Sequence, residues 1–401
     1  MAGHFFWGTA LEVSDDKPRR VELAVAILIG SLLFLYWVIF PVVIGALAET
    51  RGYAEDRLGL LASLYSAGIF LATVSSMLWI QRINWVLLVK LGSVLTAAGF
   101  ALLFLDDSFT VLAIGHVLAS LGLGVAYAVV MATLGDQDKP ARGYALVFFL
   151  QVAFGVSASS AMTLALSPAQ IVTVSASLMI AVGALCALLA HRLPAKSRKV
   201  RARRSAAARV FTLPPVPVLL GLLAILLVFT GDAGVWIFLE RIGNARFGPE
   251  VGGFLVSVNL GAGACGSLTA AWISERFGYL WPMVVAIGFS IVSVAMMALG
   301  ESVAVLLAAS FINGWSWNLG AAYRMGLVSK LDETGRFTVL IPAMQTLGNS
   351  LGPLLIGLLI VRGGYNLAFL TTAVLWTAAF AAYYPAWLRY RETVHGTYRI
   401  A

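Results

Sequence analysis

The chain has 401 residues, of which 60% are hydrophobic and only 11% charged, with a formal net charge of +8. Soluble domains carry roughly 25% charged residues, so this composition excludes a globule whose whole surface faces water and implies a bilayer as solvent. Cys186 and Cys265 both fall within apolar runs and are too few to propose a disulfide or a metal site.

Residues 1–21, carrying Asp15, Asp16, Lys17 and Arg19, lack the apolar core and small-residue cleavage site of a signal peptide. They are expected to form a cytoplasmic tail, with the first span as insertion signal. Apolar runs of about 20 residues, long enough to cross the hydrocarbon core as helices, follow at 22–47, 57–80, 84–105, 109–134, 141–166 and 168–192. A basic stretch at 193–214 comes next, either a solvated linker or a helix lying on anionic headgroups. Further runs lie at 215–241, 249–273, 278–299, 301–326, 336–362 and 364–388, before a second tail at 390–401. The sequence thus predicts an all-α integral membrane protein of twelve transmembrane helices, in six-helix bundles spanning 22–192 and 215–389.

Lys and Arg set the orientation, because positive loops stay in the cytoplasm. With the N-terminus inside, only Arg51, Arg57, Arg241, Arg246 and Arg362 of the 27 Lys and Arg fall outside. Both termini are therefore expected in the cytoplasm, in a plasma membrane, which for a bacterium is the inner membrane. The net positive charge is topological and does not point to nucleic acid.

An internal repeat runs at a constant offset of 194 residues. Arg82 maps onto Arg276, Asp138 onto Asp332, Arg142 onto Arg336 and Gln151 onto Gln345. The spacing Asp-x3-Arg-x8-Gln recurs at the same inner loop and following helix of each half. Two homologous bundles in parallel orientation follow, a repeat style known from one large class of transporters.

The segment AAWISERFGYLWP after the eighth run resembles the G-x-x-x-D-R-x-G-R loop of the major facilitator superfamily, with Ala271, Glu275, Arg276 and Gly278 at its first four marked places. The first-half copy, MLWIQRINW, keeps Arg82. In the fourth run GHVLASLGLG is similar to the family's A-R-F-L-Q-G-x-G-x-G, with His116 at the Arg place and Gly122 and Gly124 retained. The family's Gly-Pro antiporter signature is absent from the fifth run; GNSLGPLLIG stands in the eleventh, where helix packing explains it. The resemblance implies alternating access, with Arg82, Asp138, Arg142, Glu275, Arg276, Asp332 and Arg336 forming a cytoplasmic gate. It also implies that the first, fourth, seventh and tenth helices line a central path.

An ionisable residue inside a span costs several kcal/mol unless paired or wetted. Asp232 is the clearest case, and Asp232, Trp236 and Glu240, four apart, form one helical stripe. His116 and Asp232 both lie roughly 10 to 13 Å deep. Asp232 is expected to be the proton-coupling carboxylate, with His116 as relay or partner and Glu240 on the same face. For solute contact the tenth run is richest, with Asn313, Trp315, Trp317 and Asn318; Tyr36, Trp37, Gln151, Trp236, Gln345 and Asn349 are further candidates. Each has an alternative role as an interface anchor or a helix bridge.

The expected function is secondary active transport of a small organic solute with protons, by symport or antiport, in a monomer needing no cofactor. Lys90 is the nearest approach to a mid-membrane cation in this reading, so neutral or cationic solutes are favoured. The histidines His4, His116, His191 and His395 form no catalytic cluster and no nucleophile, metal or phosphate motif appears, so an enzyme is not expected. The alternative is a sensor that keeps the fold without transporting.

Overall fold

The computed structural model describes residues 16–80, 82–135, 140–196, 214–273, 276–332, 337 and 340–397. The first expected span is two helices, α1 (Asp16–Leu33) and α2 (Leu35–Arg51), interrupted at Phe34. There follow α3 (Glu55–Trp79), α4 (Trp85–Ala101), α5 (Phe109–Gly135), α6 (Pro140–Ala165) and α7 (Pro168–Leu189). Beyond the linker come α8 (Val216–Phe247), α9 (Pro249–Ile273), α10 (Leu280–Leu299), α11 (Val303–Leu331) and α12 (Ile341–Thr397).

Local chemistry sets the breaks. Gly52, at φ 63°, ends α2 in the left-handed region open to glycine and returns its N–H to the Ala48 carbonyl. Asn84 starts α4 by accepting from the Val86 and Leu87 N–H groups. Pro168 opens α7, where its missing N–H is no loss.

The 57 residues of α12 would make a rod of about 86 Å, far beyond a bilayer core of roughly 30 Å. Helical geometry fails at Gly363 and Gly364, the latter at φ 73°. Before that kink Gly352 lies against the Thr230 carbonyl, and after it the Trp376 indole donates to the Val228 carbonyl at 3.3 Å. Gly352 and Trp376 are therefore level on α8, and the chain doubles back between them. With α1 and α2 taken as one unit, the described residues hold eleven continuous helical elements, the last of them two helices joined at the Gly363–Gly364 kink. Ten have the length and composition to cross a membrane; α11, which carries Asn313, Asn318 and Arg324, is less apolar.

The helices form two bundles. In the first, α5 packs on α3 and α4 and α7 on α4; in the second, α11 packs on α9 and α10 and α12 on α8. The repeat is visible in the packing: Ser120 of α5 fills the space beside Gly68 of α3, and its repeat mate Gly314 of α11 lies against the Asn259 backbone of α9. Leu78, Leu188, Leu268, Trp272 and Leu299, among the most exposed large apolar side chains, would sit in lipid as an integral multi-pass chain requires.

Between bundles α2 meets α8, α3 meets α12 and α6 meets α9. Among the described residues, hydrogen bonds across this seam join Arg241 to Glu55, Asn244 to Glu49, Ser160 with Ser257, Ser350 to the Ser63 carbonyl, the Leu354 N–H to Ser63, and Trp236 to Trp37. All lie in the half of the molecule away from the linker, here the distal half, with Trp236–Trp37 nearest the middle.

Candidate functional site

Pro41 has no N–H, so the carbonyl of Trp37 four residues earlier lacks its helical donor. The Trp236 indole N–H of α8 donates to that carbonyl at 3.4 Å, so a backbone defect in one bundle becomes a tie to the other. Asp232, one turn from Trp236 on the same face of α8, is half-buried and has no hydrogen bond or salt bridge among the described residues. The charge whose field it shares is Arg324 of α11.

Arg324 was expected at the inner membrane surface. It is 3% exposed, because α11 continues to Leu331 and a helical side chain leans toward its N-terminus, which carries this guanidinium into the protein. A methyl group on Gly320 would lie 2.6 Å from its Nη1. Its Nη2 donates to the Trp317 carbonyl at 3.3 Å and its Nε–H is buried without a partner. An Arg is thus buried inside the protein where the sequence suggested none; Lys90 is exposed. A periodicity argument could not see this, since Arg324 sits near the end of an apolar run.

His116 and Asp232 are not brought together. His116 is fully buried, with Nδ1 bonded to the Leu112 carbonyl at 2.8 Å and Nε2 to the Tyr36 hydroxyl at 2.8 Å. A carbonyl only accepts, so Nδ1 carries the proton and Nε2 accepts from Tyr36. Phe40, Tyr65 and Phe100 enclose the ring. His116→Phe should destabilise the protein by about 2 kcal/mol through two lost buried hydrogen bonds. Adding Tyr36→Phe, which removes the orphaned hydroxyl, should recover part of this in thermal unfolding; a loss no greater than that of a surface substitution would show the pair to be unimportant.

Several expected solute contacts bridge helices. Gln151 donates to the Gly30 carbonyl at 3.1 Å, and Asn259 of α9 donates to Asn313 at 3.1 Å. Trp315 donates to Thr269, Asn318 accepts from Ser267 at 3.3 Å, and Gln345 donates to the Met325 sulfur. Trp37, Trp236, Trp317 and Asn349 remain half-buried. The Trp317 ring meets Phe229 of α8 edge-on at 5.5 Å, and its indole N–H is unpartnered.

At the distal end Glu240 is 6% exposed. One oxygen accepts from Asn244 at 3.0 Å, and the other is unpartnered and presses against Gly45 of α2. Asn244 also donates to Glu49, so one amide holds carboxylates from both bundles. Beside it Arg241 and Glu55 pair at 2.7 Å. This inter-bundle latch was not expected; the outlying positive charges at Arg241 and Arg246 were the only sign of it.

Of the expected inner gate, Asp138, Glu275 and Arg336 lie outside the described residues, as does the side chain of Arg142. Arg82 is exposed, Arg276 lies 6.0 Å over the Trp272 ring, and buried Asp332 accepts from the Phe337 N–H at 2.7 Å.

The model of the Major Facilitator Superfamily matches residues 221–398. No curated protein matches the chain. Among solved structures, a nucleoside transporter is similar over 91% of this chain and 99% of its own, with TM-score 0.74 at 12% identity. A bacterial homologue of the human lysosomal transporter Spinster, in an inward-facing and occupied conformation, gives TM-score 0.71 at 16% identity over 92% and 96% of the two chains. A D-xylose-proton symporter gives 0.72 at 13% over 91% and 97%. The second half of the chain thus matches the sequence model of the Major Facilitator Superfamily, and nearly its whole length shares the fold of these transporter structures.

Proposed function

We propose that the chain is a secondary active transporter that moves a small organic solute by alternating access and couples it to protons through Asp232. Residues 22–192 and 215–389 are the two moving bodies, and the linker and both termini face the cytoplasm. The observation that carries this reading is the distal seam. Among the described residues, inter-bundle hydrogen bonds close the distal half, while Asp232, Trp37, Trp236 and Trp317 remain partly exposed deeper in. A seam that holds the distal end shut is what one state of an alternating-access cycle requires. The inward-facing state named for one structural neighbour and the proton symport named for another agree with it.

The test is solute-dependent proton movement in proteoliposomes holding the purified chain, read by a trapped pH dye in an imposed pH gradient. Uptake and export are separated by the sign of the proton flux relative to that of the solute. Solute flux indifferent to the gradient would remove proton coupling, and absence of any flux with every bound solute would remove transport.

The distal latch gives a second expectation. Arg241→Gln breaks a largely buried pair (side chains 23% and 19% exposed) worth about 2 kcal/mol, roughly a thirtyfold shift toward the state with the distal end open. A cysteine at Asn349→Cys, in a Cys265→Ser background because Cys265 is exposed, should then react faster with an impermeant maleimide added from outside. An unchanged rate would show that the pair does not hold the seam.

A further inference from the structure

Arg324 and Trp317 stand seven residues apart on α11, about two turns, and so share a face. That face looks onto α8, where the Trp317 ring meets Phe229 and the Arg324 charge faces Asp232. Two donors on it have no partner: the Arg324 Nε–H and the Trp317 indole N–H. Asp232 is the nearby acid, yet no hydrogen bond or salt bridge joins it to Arg324. A buried donor left unsatisfied costs about 1 to 3 kcal/mol, and more when charged. Two of them on one face, with a half-buried acid in the guanidinium's field but not bonded to it, are arranged for an oxygen acceptor that comes and goes.

The chemistry of the donors narrows that acceptor. Both groups only donate, so the occupant supplies lone pairs, and a guanidinium edge matches a planar oxyanion. One Arg, already facing one Asp, balances a single negative charge better than a dianion, which favours a carboxylate over a phosphate. The half-buried Trp317 ring, backed by Phe229, offers a face to an apolar or aromatic body.

We infer that the transported solute carries a carboxylate that seats on the Arg324 Nε edge and the Trp317 indole N–H, with Asp232 as the internal anion it displaces from the guanidinium's field. This rests on the transporter reading and narrows its substrates to organic monoanions and zwitterions, against the neutral or cationic solutes expected from sequence.

The experiment is thermal stabilisation of the purified full-length chain by benzoate, lactate and phenylalanine, each against a partner lacking the carboxylate: benzamide, lactamide and phenethylamine. A ligand that binds only the folded chain raises its melting temperature. At least one acid should stabilise where its partner does not. Trp317→Phe, which keeps a ring and removes only the N–H, should weaken that acid roughly tenfold, and Arg324→Gln should abolish its effect. Should Arg324→Gln fail to fold, Trp317→Phe carries the test. Asp232→Asn separates the two substrate types: a monoanion should bind more tightly once the competing charge is gone, and phenylalanine less tightly once its ammonium partner is gone. Stabilisation by none of the acids, equal stabilisation by the partners, or unchanged affinity in Trp317→Phe overturns the inference. Binding of an acid without its flux in proteoliposomes would sink the transporter reading and leave the carboxylate site standing.

Discussion

Gly59→Val should abolish transport while leaving the protein folded. A methyl group at Gly59 of α3 would lie 2.2 Å from the Pro353 carbonyl oxygen and 3.4 Å from the Gly357 Cα of α12. The obstruction is backbone, so no side chain can swing aside. The reciprocal contact is as tight, since a methyl at Gly357 would lie 2.4 Å from the Glu55 carbonyl oxygen. Here the two bundles touch main chain to main chain, and valine can be housed only by parting the distal seam. Overpacking costs about 3 kcal/mol at the upper end of its usual range, which populates the closed distal end roughly a hundredfold less. Each bundle keeps its own core, so thermal stability should change little while solute flux is lost and the cysteine at Asn349→Cys becomes reactive from outside. Gly261→Ala is the control: its methyl would meet nothing within 4 Å, and in helix α9 it should gain about 0.5 to 1 kcal/mol. Transport retained in Gly59→Val would show that this contact does not close the seam.

Asp232→Asn should remove gradient-driven accumulation and leave solute exchange at equilibrium. Asparagine keeps the shape of the side chain and discards the exchangeable proton, so the solute path survives while its coupling is lost. Accumulation in a pH gradient should fall at least tenfold, to the level seen without one, while counterflow of labelled against unlabelled solute continues. A charged group in a span is expensive when unpaired, so the variant also leaves Arg324 without the one acid that faces it. The single variant should therefore be less stable than the double variant Asp232→Asn with Arg324→Gln, and that difference measures their interaction. Accumulation that persists in Asp232→Asn would assign coupling to another group, with Glu240 next in line.

The order of the apolar runs and the 194-residue repeat were legible in the amino-acid sequence, because crossing a bilayer demands long apolar helices whatever their neighbours. The depth of Asp232 within its helix followed from the same arithmetic. The glycines of GNSLGPLLIG were legible as packing residues, though not their division of labour, with Gly348 and Gly352 against α8 of their own bundle and Gly357 against α3 of the other.

The facing of each helix was decided only by the tertiary structure. A helix in a soluble protein shows its core by having one apolar side; here lipid and core are both apolar, so that contrast vanishes. Asn313, Gln151 and Asn318 accordingly read as a solute lining, and the structure places each in a hydrogen bond between helices, while His116 sits in the aromatic interior of the other bundle from Asp232. Arg324 shows the remaining gap. Its Cα lies near the end of an apolar run, but side-chain direction, not Cα depth, sets where a charge resides, and the guanidinium points inward to face an acid 92 residues away in the chain. The break at Phe34 and the Trp236 donor for the Trp37 carbonyl are of the same kind, because Pro41 announces a missing hydrogen bond while only the packed fold supplies its replacement.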